Sequence, residues 1–136
     1  MIAVGDTGPV FTHGPVTVTD LVRYAGASGD FNPLHHDDGY ARASGLPGVM
    51  AHGMFSAGLL ASFVTRWFGA GSVRRFKVRF RERVFPGDVL SAEGRVERVH
   101  ATPQGVRRAE LDLRLLRQDG VPVIVGSAEV ALQEIV

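Results

Sequence analysis

The stretch Gly53-Met54-Phe55-Ser56-Ala57-Gly58-Leu59-Leu60-Ala61-Ser62-Phe63-Val64-Thr65-Arg66-Trp67-Phe68 decides how the rest of the chain must fold. Its apolar residues occupy nearly every side of a 3.6-residue turn, which predicts a helix enclosed by other structure rather than one lying on a surface. Gly69 and Gly71 close it. The run falls short of the roughly 20 apolar residues that span a bilayer, and Arg66 stands near its end. A buried helix is therefore expected, with Ser56, Ala57, Gly58, Ala61 and Ser62 small enough to let a sheet come close.

Beyond Val73 the period changes to two. Phe76, Val78 and Phe80 alternate with Lys77, Arg79 and Arg81, the pattern of a half-buried strand. Pro86-Gly87-Asp88 turns the chain into a second strand, Val89 to Val99, and a loop with Pro103 and Gly105 follows. Arg107 to Arg117 is the clearest strand: Ala109, Leu111, Leu113 and Leu115 face one way, Glu110, Asp112 and Arg114 the other. Gln118-Asp119-Gly120 makes a hairpin turn into a last strand, Val121 to Leu132. One buried helix followed by four long antiparallel strands predicts an α+β hot-dog fold, a curved sheet wrapped around the helix, as a single domain over residues 1–136.

The first fifty residues are less regular. Val4 to Val18 is broken by Gly8, Pro9, Gly14 and Pro15 and yields a short edge strand at most. Thr19 is the expected N-cap of a short helix, Asp20 to Ala25, stopped by Gly26 and Gly29. Asp30 to Leu34 reads as a turn, because Pro33 forces Asn32 out of the helical region. Asp37 caps a second short helix over Asp38 to Ser44, ended by Gly45, and Leu46 to Val49 is a loop.

A net charge of +1 argues against a nucleic-acid partner, which would need a concentrated basic surface. With no cysteine, the chain has no disulfide, thiol nucleophile or zinc-thiolate site. Met1 to Asp6 shows neither a basic region nor an apolar run of the signal-peptide kind, so a cytoplasmic protein without membrane attachment is expected.

The chemistry concentrates in Gly29-Asp30-Phe31-Asn32-Pro33-Leu34-His35-His36-Asp37 and in Ala51-His52-Gly53-Met54 at the start of the long helix. The first resembles the hydratase motif of the MaoC-like, or (R)-specific enoyl-CoA hydratase, family: Asp, any residue, Asn, Pro, an aliphatic residue, His, any residue, Asp. The second is similar to that family's other landmark, at the expected distance. The resemblance runs from Thr19 to Leu132, and Asp20 to Gly26 looks most like the catalytic subunit of the mycolic-acid-pathway (3R)-hydroxyacyl-ACP dehydratase. It implies a hot-dog dimer, homodimeric or paired with a related hot-dog subunit, with two sheets joined edge to edge. It also implies a substrate tunnel near the interface, Asp30 and His35 as the catalytic pair, and the Gly53 amide as oxyanion donor. Relatives often carry a serine in the long helix that supports the aspartate. Here Ala61 stands in its place, so that role is not carried over.

Adding water across an α,β-unsaturated thioester needs a base for the water, an acid for the α-carbon and a donor for the enolate oxygen. Asp30 and His35, five residues apart across a proline-directed turn, fit the first two tasks. Asp30 is assigned to the water and His35 to the α-carbon, with the roles reversed in dehydration; the sequence is equally compatible with the opposite division of labour. Gly53, in the first turn of the helix, offers an amide without an intrahelical partner. Asn32 ties the loop, while His52 and Met54 support the site or contact substrate. The scheme needs no metal and no cofactor; the expected partner is an acyl-CoA or acyl-ACP thioester. His13, His36 and His100 read as solvated, and Arg74 to Arg83 as the wet face of a strand. Two rival readings are a hot-dog acyl-thioester hydrolase and a subunit of a heterodimeric dehydratase. The first is opposed by the lack of Asp or Glu in the long helix, the second, if the subunit is silent, by an intact Asp30 and His35.

Overall fold

The computed structural model describes residues 1–133. Its elements are β1 (Phe11–His13), α1 (Val18–Ser28), a 3-10 turn (Pro33–His35), α2 (Asp38–Ala43), α3 (Gly53–Phe68), β2 (Val73–Phe80), β3 (Leu90–Ala101), β4 (Arg107–Leu116) and β5 (Pro122–Ala131). The strands form one antiparallel sheet in the order β1-β3-β4-β5-β2. This α+β arrangement, a sheet with α3 packed on it, is the hot-dog fold anticipated from the change of period. None of the described helices is long and apolar enough to cross a membrane.

The core lies between α3 and the inner face of the sheet. Ala57, Leu60, Phe63 and Val64 of α3 meet Val96 of β3, Ala109, Leu111, Leu113 and Leu115 of β4 and Ala128 and Val130 of β5, all buried. Each large apolar side chain removed from water in this way contributes about 1.5–3 kcal/mol. The alternation along β4 is the one its sequence announces.

Enclosure of α3 is incomplete, which corrects the expectation from composition. Met54, Gly58, Ser62 and Arg66, each four residues after the last, form an exposed stripe. A single sheet covers one side of a helix and its flanks, so the opposite side faces outward. Of the small residues, Ser56 and Ala57 are the ones held against the sheet, whereas Gly58 and Ser62 lie on the wet stripe.

α1 starts earlier and runs longer than expected. Its N-cap is Thr17, not Thr19. The Thr17 hydroxyl accepts the Asp20 N–H at 3.1 Å and the Asp20 carboxylate accepts the Thr17 N–H at 2.9 Å, a complete capping box. Gly26 is carried inside the helix, since a glycine there costs only about 1 kcal/mol. The stop comes at Gly29, whose φ of 74° is the left-handed conformation that glycine adopts without strain. That stop delivers the chain to Asp30.

Candidate active site

Asp30 opens a loop stiffened by two successive side-chain-to-backbone bonds. The Asp30 carboxylate accepts the Asn32 N–H at 3.2 Å, and the Asn32 side-chain oxygen accepts the Leu34 N–H at 3.0 Å. Asn32 has ψ of 128°, extended as Pro33 requires, and Pro33 then begins the 3-10 turn that swings His35 inward. Asp30 is half exposed at the rim, while His35 is buried behind it, and its Nε2 lies 3.9 Å from Asp30 Oδ2.

Two partners hold the His35 ring. Its Nδ1–H donates to the Met50 carbonyl at 2.7 Å; since a carbonyl only accepts, the proton on Nδ1 is fixed and Nε2 is the nitrogen left for chemistry. On one face the ring stacks on His52, with centroids 3.7 Å apart and planes at 23°. His52 is itself buried. Its Nε2–H donates to the Asp30 carbonyl at 3.1 Å, Tyr24 packs edge-on at 4.8 Å, and its Nδ1 is buried without a partner. One histidine thus braces both the carboxylate's backbone and the other imidazole.

Gly53 follows His52 as the first residue of α3, so its N–H points out of the helix with no carbonyl four residues back to accept it. A Cβ placed on it would approach the Phe80 ring to 3.2 Å, so the absence of a side chain lets β2 close over the helix start. Beside it opens a cavity of about 370 Å³, lined among others by Met50, His52, Gly53, Ser56, Phe80, Arg81 and Arg83. Asp30 and His35 stand just outside this lining, joined to it through Met50 and His52.

The structure therefore brings Asp30, His35, His52 and Gly53 together and makes Asn32 a brace of the loop. Met54 stands apart, 60% exposed on the wet stripe of α3 and not in the cavity wall. Ser56 and Phe80 also line the cavity, a place the sequence reading does not give them. Ser56 was legible as the residue three positions after Gly53, on the same side of the helix. Phe80 shares the inward face of β2 with Phe76 and Val78. Asp30, His35 and His52 also offer three ligand atoms within 4.8 Å of one another, close enough for a cation.

His100 departs from its expected solvation. It sits on the outer face of the sheet between Glu110 and Glu129, 3.7 Å from each, while Arg98 and Arg108 supply counter-charge to the same two carboxylates. His100, Glu110 and Glu129 also bring ligand atoms within 4.8 Å of one another, with an arginine against each carboxylate.

Comparison with known proteins gives one family, described as MaoC like domain, whose pattern matches residues 5–112. An (R)-specific enoyl-CoA hydratase from Aeromonas caviae is 33% identical over 115 residues, 83% of this chain and 84% of that protein. Fatty acid synthase beta subunit TOXC from Cochliobolus carbonum is 34% identical over 110 residues, 79% of this chain; the chain spans only 5% of that relative's length. Among solved structures, the unliganded R-hydratase PhaJ1 from Pseudomonas aeruginosa superposes with a TM-score of 0.84 at 31% identity, covering 98% of this chain and 84% of that one.

Proposed function

We propose a reaction for this chain from the premise that it belongs to the MaoC-like domain family. The reading is an (R)-specific hydro-lyase that interconverts trans-2-enoyl and (3R)-3-hydroxyacyl thioesters, carried on CoA or an acyl carrier protein, by adding or removing water. The observation that carries it is the 3.9 Å approach of His35 Nε2 to Asp30 Oδ2 beside the first amide of α3. A relative of comparable length, the Aeromonas caviae protein, is itself named for this reaction.

In hydration, Asp30 takes a proton from water as its oxygen bonds to the β-carbon. His35 Nε2–H gives a proton to the α-carbon, and the electron pair of the double bond passes through the enolate. The Gly53 N–H donates to the thioester oxygen while it bears that charge, a contact commonly worth about 10²–10³ in rate. The proton on Asp30 then returns to His35, whose Nδ1–H stays on Met50 throughout. Dehydration runs the same steps backwards. One C–O bond and two proton transfers account for the whole change with no net oxidation or reduction, so the scheme gives a metal no role and needs no redox cofactor.

We read the assembly as a dimer joined along β2. That eight-residue strand is the long free edge of the sheet, and β1 at the other edge has three residues. A related hot-dog subunit would fit the same edge, and the solution mass of the purified chain, measured with its hydration activity, separates the two cases.

The test of the reaction is turnover of crotonyl-CoA. Asp30→Asn and His35→Gln are each expected to lower kcat at least about a hundredfold while leaving the circular dichroism spectrum intact. Folded variants with near-normal turnover would remove the assignment.

A further inference from the structure

Six of the chain's 15 Lys and Arg residues fall within ten positions: Arg74, Arg75, Lys77, Arg79, Arg81 and Arg83. The sole carboxylate in that stretch is Glu82. Among the described residues, none of the six cations has a carboxylate within ion-pair distance, whereas Arg42, Arg95, Arg98, Arg108, Arg114 and Arg117 each have one. Of the nine cations elsewhere, those six are neutralised locally, and Arg23, Arg66 and Arg107, which have no such partner among the described residues, lie apart from one another in the sequence. Here they are left in excess, which raises a positive potential along one strip.

The far end of the strip reaches the cavity. Arg81 and Arg83 line it together with His52 and Gly53. The backbone between them is pinned at both ends: the Arg81 N–H donates to the Val123 carbonyl at 2.9 Å, and the Val84 carbonyl accepts the Ala51 N–H at 2.8 Å, next to His52. Both arginines are exposed residues mounted on fixed backbone. Arginine in this situation is suited to a phosphate, whose oxygens match its planar fork of donors.

A thioester whose carbonyl sits at Gly53 carries behind it a long neutral pantetheine arm, and that arm ends in a phosphate. We propose that Arg81 and Arg83 bind this phosphate and so hold the carrier end of the substrate. The inference rests on the hydratase reading of the site and names the anion that CoA and a loaded carrier protein have in common.

The test is calorimetric titration of pantetheine, 4′-phosphopantetheine, CoA and a holo carrier protein into the wild type, Arg81→Gln, Arg83→Gln and the double variant, with Arg23→Gln as a remote control. Wild type and control are expected to bind phosphopantetheine about tenfold or more tightly than pantetheine, with a preference that weakens as salt rises. The double variant should lose that preference while keeping its affinity for pantetheine. CoA and carrier protein should both weaken if the arm's phosphate is what binds. Equal binding of pantetheine and phosphopantetheine by the wild type would overturn the proposal, and so would a gain confined to CoA, which would place the contact on the nucleotide phosphates.

Kinetics keep the two readings apart. On crotonyl-CoA the double variant should raise KM about tenfold or more with kcat unchanged. Unchanged KM in an active double variant sinks the phosphate contact and leaves the reaction standing. Arginine-dependent phosphopantetheine binding by a wild type that hydrates nothing sinks the reaction and leaves the contact standing.

Discussion

His52 lies flat against His35, ring centroids 3.7 Å apart, and with the same imidazole donates to the carbonyl of Asp30 at 3.1 Å. It touches both members of the proposed acid–base pair without facing the half-exposed rim itself. This makes it a positioning residue, acting through the placement of the other two. Phenylalanine at 52 keeps the stack and loses the hydrogen bond, and glutamine keeps a donor and loses the stack. Both are expected to lower kcat on crotonyl-CoA, each by about tenfold, with a smaller effect on KM. Circular dichroism and the acid limb of the pH–rate profile should be followed together. If both variants fold and retain full kcat and an unaltered profile, His52 is only filling space.

Much of this fold is legible in the sequence because burial there has a clean period. The bounds of α3, its glycine stop, the Asp37 cap and the inward row of β4 all follow from spacing. The Thr17 cap is legible too: Thr17 has Asp20 three positions on, the capping-box spacing, whereas Thr19 has Val22. The setting of His100 is not. The register between β3 and β4 shifts between Val96 and Arg98, and a bulge of that kind changes which residues stand opposite Glu110 without leaving a mark in local composition. The wet stripe of α3 was hidden because Met54, Gly58 and Ser62 are not charged. The proximity of Asp30 to His35 needed no long-range information, since one proline-bent loop holds both. Their connection to His52 spans 22 residues and could be expected only from the resemblance.

The capping box predicts how α1 responds to acid. The Thr17 N–H holds the Asp20 carboxyl below the ordinary carboxylate value, with His13 adding to the effect and partial burial opposing it. A carboxyl depressed in the folded state contributes stability that is complete above its unfolded value of about 3.9 and is lost as pH falls through the folded value. Asp20→Ala and Thr17→Ala should each cost about 1 kcal/mol at pH 7. Urea denaturation should show the Asp20→Ala deficit shrinking once pH drops below that range. A deficit of constant size across pH would mean that the carboxylate's charge plays no part in the cap.

Chelation addresses the three ligand atoms of Asp30, His35 and His52. In the proposed cycle His35 Nδ1 is committed to the Met50 carbonyl and His52 Nε2 to the Asp30 carbonyl, and the C–O bond forms with proton transfers at Asp30 and His35 alone, no step calling on a cation. Dialysis against EDTA is therefore expected to leave crotonyl-CoA hydration unchanged, as is later addition of zinc or manganese. Activity that falls on chelation and returns with one metal would make this cluster a metal centre and displace the acid–base scheme.

The role of the Gly53 amide can be separated from the role of its missing side chain. Proline is well tolerated at the first position of a helix, where its fixed φ suits the turn and its lacking N–H would have had no intrahelical partner. His52 already has φ −61° and ψ 138°, the conformation that a following proline demands. Gly53→Pro should therefore leave α3 intact; it brings a Cβ towards Phe80 as alanine does and, beyond that, deletes the donor proposed for the enolate oxygen, lowering kcat about 10²–10³-fold. Gly53→Ala keeps the N–H and adds a Cβ that meets the Phe80 ring at 3.2 Å, which the ring relieves by moving a few tenths of an ångström. Its kcat should fall far less than that of Gly53→Pro. Equal losses in the two variants would assign the effect to crowding against Phe80, and a fully active proline variant would leave the enolate without its proposed donor.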